Sequence, residues 1–72
     1  MKSVYKLKPH EILRLIQTQD LKQYWVAQAI GVHKSTLRRW IKGDIRWIKE
    51  PHLQSLARVL TTEPQVIADY LY

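Results

Sequence analysis

Six cations, Lys34, Arg38, Arg39, Lys42, Arg46 and Lys49, fall within sixteen residues that hold a single acid, Asp44. This stretch carries +5 of the chain's formal +6. A run of lysine and arginine is most often a solvated face. Here the run is gathered on one short segment and the loop behind it, so a polyanion, nucleic acid first, is the better-matched partner. Catalytic chemistry finds no comparable constellation. His10, His33 and His52 lie far apart without a second ligand at a metal-binding spacing, and there is no cysteine. With only two glycines there is no phosphate-cradling loop, and no serine has a plausible base nearby. No enzyme activity, metal or cofactor is expected.

The elements that must position these cations can be read from helical spacing and from stop signals. Gln23 to Gly43, QYWVAQAIGVHKSTLRRWIKG, reads as two short helices joined by a tight turn. Gly31 makes the turn, because a left-handed residue is cheapest as glycine. Ala27 is the small residue at the closest approach of the two helices, and Val32 plugs the angle between them. Leu37 and Trp40, three apart, seat the second helix on a core, which leaves the opposite, basic face free. Trp40 is therefore read as a core residue rather than a stacking platform. A helix from Pro9 carries Ile12, Leu13, Leu15 and Ile16, with proline suited to the first helical position. Asp20 and Gln23 have the spacing of a capping box for the second helix. The third runs from about Lys34 to Lys42 and stops at Gly43. A fourth follows Pro51, and a fifth follows Thr62 and Gln65, a further capping-box pair, with Val66, Ile67, Tyr70 and Leu71 on its apolar face. No alternating run demands a sheet.

Bulk properties frame the same picture. Seventy-two residues suit one small domain, which buries only about 60% of its unfolded surface and gains from pairing with a second copy. Nothing approaches the ~20 apolar residues of a membrane span, and the N-terminus lacks the apolar run of a signal peptide. The expectation is a cytoplasmic, all-α protein without a membrane role, in which a basic N-terminal arm over 1–8 precedes a DNA-binding domain over 9–72.

The pattern Gln23, Val26-Ala27, Gly31-Val32, Ser35, Leu37, Trp40 and Gly43, followed by Leu56-Ala57-Arg58-Val59-Leu60 and Thr62 to Ile67, resembles the lambda-repressor and Cro-like helix-turn-helix family. About fifty residues, from Leu21 to Leu71, share its spacing. The resemblance implies a compact five-helix bundle with the helix-turn-helix in helices 2 and 3. It also implies sequence-specific binding of double-stranded DNA by a bacterial or phage transcriptional regulator, with repression as the expected sign. The recognition helix, 33–42, would lie in the major groove.

Carried over by position, Lys34, Ser35 and Arg39 reach base edges, where lysine or arginine pairs with guanine and serine is ambivalent. Arg39 is the leading specificity residue, because guanidinium is rigid and bidentate; a phosphate contact is its plainer alternative. Gln23, at the start of the second helix, is expected on a phosphate, on a cap, or on both. Thr36, Arg38, Lys42 and Arg46 are assigned to phosphates, which position without reading sequence. A homodimer on a two-fold operator is implied, with Val66, Ile67, Tyr70 and Leu71 as the candidate interface; the same residues would equally close a monomer's core.

Some residues depart from the family pattern. His33 stands where a serine or threonine cap is common; histidine caps poorly, so His33 is expected to touch DNA instead, with an exposed neutral histidine as the plain alternative. Ile16 and Ile41 replace an arginine–glutamate pair with an apolar contact. Tyr24 and Trp25 are expected under the N-terminal arm (Val4, Tyr5, Leu7) or in a protein interface. Trp47 and Ile48 are expected to anchor the loop after the recognition helix to the core, with a dimer contact as the second choice. Two other readings remain. One is a protein-interaction module of the same fold, of toxin–antitoxin or coactivator type. The other is a MerR- or excisionase-like winged helix, for which the seven residues before Pro51 are few.

Overall fold

A computed structural model describes residues 3–70. Five helices, α1 (Pro9–Thr18), α2 (Gln23–Ile30), α3 (Lys34–Lys42), α4 (Glu50–Val59) and α5 (Pro64–Ile67), are joined by two short strands, β1 (Val4–Lys6) and β2 (Trp47–Lys49). The all-α, five-helix reading holds, with a two-stranded sheet as a small addition.

The helices form where local chemistry directs. Pro9 opens α1, and Glu11 in its first turn sits favourably against the helix dipole while holding Arg14 at 2.7 Å. Ile12 and Ile16, four apart, put one face of α1 in the core. Val26, Ala27 and Ile30 do the same for α2, Leu37 and Trp40 for α3, and Leu53, Leu56 and Ala57 for α4. Among these, α2 packs on α3 and α4, and α1 packs on α3.

Helices α1 to α4 all end in one hydrogen-bonded form. After α2, Gly31 donates to the Gln28 carbonyl and Val32 to Ala27; after α3, Gly43 donates to Trp40 and Asp44 to Arg39. This is the Schellman arrangement, with glycine at φ +79° and +84°. The same pair of bonds follows α1 and α4, but there the left-handed residues are Asp20 (φ 54°) and Thr61 (φ 52°). A β-branched threonine is strained in that region. Gln19 ties these two ends together: its amide donates to the Leu60 carbonyl at 2.6 Å and its oxygen accepts from the Thr61 hydroxyl at 3.3 Å.

Both expected capping boxes are corrected. Asp20 closes α1 instead of opening α2, whose N-cap is Lys22 without a side-chain bond. The N-cap of α5 is Glu63 rather than Thr62, again without a side-chain bond.

The sheet was not foreseen. β1 and β2 run antiparallel, with Val4 opposite Lys49, Tyr5 opposite Ile48 and Lys6 opposite Trp47. Leu7 continues the pairing to Ala68, and the Lys8 N–H reaches the Ile67 carbonyl. Tyr5, Leu7 and Ile48 are buried, so residues within the expected arm complete the core. Tyr5 lies against Tyr70 with ring centroids 4.9 Å apart. Ile48 anchors the loop as expected; Trp47 does not, being 56% exposed on the outer face of the ribbon. The segment after α3 thus pairs with the N-terminal strand rather than folding into a hairpin wing.

Candidate nucleic-acid interface

The basic face begins with the packing of α3. Leu37 and Trp40 are buried, and Trp40 rests beside His52 at 6.1 Å between ring centroids, so the tryptophan belongs to the core. With that face inward, Lys34, Ser35, Arg38, Arg39 and Lys42 are all exposed, and Thr36 is half-buried. Arg39 and Lys42 lie in the last turn, where they also complement the helix dipole. Val32 is partly buried against the core beside the Gly31 turn.

The expectation that His33 would not cap α3 is corrected. It is the N-cap of α3, and its Nδ1 accepts the Ser35 backbone N–H at 3.1 Å. The Ser35 hydroxyl lies 2.8 Å from the same nitrogen. An accepting Nδ1 puts the ring proton on Nε2, so the exposed side of His33 is a donor. The Ser35 hydroxyl then directs its hydrogen to His33 and offers lone pairs outward.

A trough of about 510 Å³ runs beside this face, lined by Gln23 and Tyr24 of α2, Leu13 of α1, and Lys34, Arg38, Ile41 and Lys42 of α3. It brings half-buried Gln23 to the same surface as the cations of α3. A second depression of about 390 Å³ shares Leu13, Ile41 and Lys42 with the first and is also lined by His10 and Arg46. Among the described residues, none of Lys34, Arg38, Arg39, Lys42 and Arg46 is in an ion pair. Other cations are committed elsewhere: Arg14 to Glu11, and Lys8 to Asp69 at 3.9 Å and to the Gln65 carbonyl at 3.3 Å. No group of three or more potential metal ligands occurs among the described residues.

Two expectations change. The arm does not cover Tyr24 and Trp25, which are 59% and 49% exposed. Ile67, read as an interface residue, is fully buried in the chain's own core, and Val66 and Tyr70 are packed partly against it. Leu71 lies outside the described residues. Tyr70 is further held by hydrogen bonds, donating to Glu50 at 3.1 Å and accepting from Gln54 at 3.0 Å. The Glu50 hydrogen bond, with burial and the carboxylate charge, raises the Tyr70 pKa above its ordinary value. Ile16 is buried, and Ile41 is packed partly against the same core. Leu13, Tyr24 and Ile41 line the trough beside the basic face and are not among the residues assigned to DNA; only the exposed aromatic pair hinted at this trough in sequence.

Comparison with known proteins follows the same line. The helix-turn-helix family model HTH_3 matches residues 12–67. Similar solved structures include the P22 c2 repressor, solved in complex with synthetic operator 9T (TM-score 0.74, 16% identity, covering 79% of this chain and 85% of that one). The restriction-modification controller protein C.AhdI from Aeromonas hydrophila is another (TM-score 0.73, 21% identity, 81% and 86%). A transcriptional regulator from Listeria innocua is a third (TM-score 0.74, 20% identity, 93% and 63%). At these identities the likeness is one of fold. No curated protein matches the sequence.

Proposed function

This chain belongs to the helix-turn-helix family HTH_3, the lambda-repressor/Cro-like group, and from that premise we propose that it is a DNA-binding transcriptional regulator that reads an operator with α3 in the major groove. The observation that carries the reading is the outer face of α3. Lys34, Ser35, Arg38, Arg39 and Lys42 stand exposed on a helix whose other face is fixed by Leu37 and Trp40. The proteins of like fold support it in kind, one having been solved on an operator.

Each side chain then has a role. Arg39 and Lys34 donate to guanine O6 and N7, and Arg39 does so bidentately. Ser35, its hydrogen directed to His33, accepts from an amino group of cytosine or adenine. His33 caps the helix and offers its Nε2–H at the helix tip. Gln23, Thr36, Arg38, Lys42 and Arg46 hold phosphates and fix the register. In this reading residues 9–72 are the DNA-binding domain, and the strand Val4–Lys6 joins it by pairing with Trp47–Lys49. Two copies on half-sites about one helical turn apart would give a two-fold operator, and repression is the expected sign.

Selection of bound sequences from a random duplex pool, repeated at two salt concentrations, tests the proposal. Enrichment of one motif with steep loss of affinity at higher salt is expected. A second reading, a protein-interaction module, draws on the exposed Tyr24 and Trp25; it predicts neither enrichment nor salt dependence.

A further inference from the structure

We propose that the trough between α1 and α3 is a binding site for an amphipathic organic anion, an aryl or alkyl carboxylate. Occupancy of this site would compete with DNA; the competition, unlike the binding, rests on the DNA reading above.

The two depressions adjoin, with Leu13, Ile41 and Lys42 in the lining of both. Their volumes, about 510 and 390 Å³, fall in the range of small-molecule sites. The floor is apolar: Leu13 and Ile41 are half-buried and the Tyr24 ring stands beside them. The rim is cationic. Lys34, Arg38 and Lys42 recur every four residues, about 6 Å apart along the helix axis, and Arg46 extends the row. No acid lines either depression, and these four cations have no ion-pair partner among the described residues.

This combination selects its ligand. A phosphodiester strand is polar along its length, so it satisfies the rim and leaves the floor against water. A neutral apolar molecule fills the floor and leaves the cations unmatched. A carboxylate on an aryl or alkyl body satisfies both, and its charge sits on side chains, Arg38 and Lys42, that would otherwise hold phosphates. Binding therefore lowers the positive potential that DNA meets.

The test uses the isotope-labelled chain followed by NMR, with 4-phenylbutyrate as probe. Saturable shifts at Leu13, Tyr24 and Ile41 are expected, with 4-phenylbutanamide and acetate each binding at least about tenfold more weakly. Leu13→Ser should weaken phenylbutyrate by about tenfold through loss of apolar floor, while leaving affinity for labelled duplex DNA unchanged. Should that variant lose its fold, Tyr24→Ser at the exposed wall carries the same expectation. Absence of saturable shifts at these residues overturns the site. Acetate binding as tightly as phenylbutyrate also overturns it, leaving only an anion patch. Saturable shifts in a chain that binds no DNA would uphold the site and remove the DNA reading.

Discussion

If α3 lies on DNA as proposed, the salt dependence of binding follows from which cations the fold leaves unpaired. Arg14 and Lys8 are tied to Glu11 and Asp69, so they are set aside. Gln23 and Thr36 are neutral and release no counterions. Lys34 and Arg39 are assigned to bases. Of the other cations, three are assigned to phosphates, Arg38, Lys42 and Arg46, which gives a slope of log affinity against log salt of about −2.7 per bound copy. Two copies on one operator double this to about −5.4. Raising salt from about 50 to about 200 mM should then weaken a single copy about fortyfold and a pair by about three orders of magnitude. Contact of Lys34 and Arg39 with phosphates as well would steepen the slope to about −4.5 per copy. Arg38→Ala removes one phosphate contact, so its slope should be shallower by about 0.9 per copy on every sequence tested. The assay is fluorescence anisotropy with a labelled duplex over a series of salt concentrations. A wild-type slope shallower than about −1, or an unchanged slope in Arg38→Ala, would refute the assignment of this face to the DNA backbone.

Four further outcomes follow from the same structure. Arg39→Ala should cost ~1–3 kcal/mol on the best operator and relax preference at one base pair; uniform weakening on all duplexes would move Arg39 to the phosphate group. Gly31→Ala meets no atom within 4 Å, so its cost is that of the +79° φ alone. That cost, about 1–2 kcal/mol for an L-residue, is offset in part by a stiffer unfolded chain, about 0.4–1 kcal/mol. Chemical denaturation should therefore show a loss near 1 kcal/mol, and a loss above about 3 would mean a clash the geometry does not contain. His33→Ala deletes the α3 cap and should lower stability by about 0.5–2 kcal/mol in the same assay, with His33→Ser restoring it; equal stability of both variants would show the cap to be inert. The Tyr70 proton is held by Glu50, so the folded pKa lies above the unfolded one. Its contribution is complete below the ordinary tyrosine range and fades as pH rises through the raised value. Tyr70→Phe should flatten this alkaline decline in a pH series of melting curves; an unaltered decline would place it on other groups.

The amino-acid sequence by itself determined the parts whose causes lie within one helical turn. α3 runs over Lys34–Lys42 as its periodicity and terminal glycine require, α1 starts at Pro9, and Gly31 and Gly43 take left-handed φ. Leu37 and Trp40 are buried at the spacing that turns the cations outward. Each of these depends on residues three or four apart, so the pattern is legible without a partner element. Tertiary structure decided the rest. Three-residue strands carry too little alternation to be seen, and β1 and β2 exist because distant segments complete each other's hydrogen bonds over a shared core. Thr61 adopts a left-handed conformation that its β-branched side chain disfavours, with Gln19 joining this helix end to the one at Asp20. The His33 cap is the exception, a local bond to the N–H two residues on that was missed because histidine is a poor cap. The trough, with cations along a floor of Leu13 and Ile41, required α1 to lie against α3. Local hydrogen bonding and side-chain period are written in short windows of sequence, whereas a contact between distant segments forms only when the whole core closes.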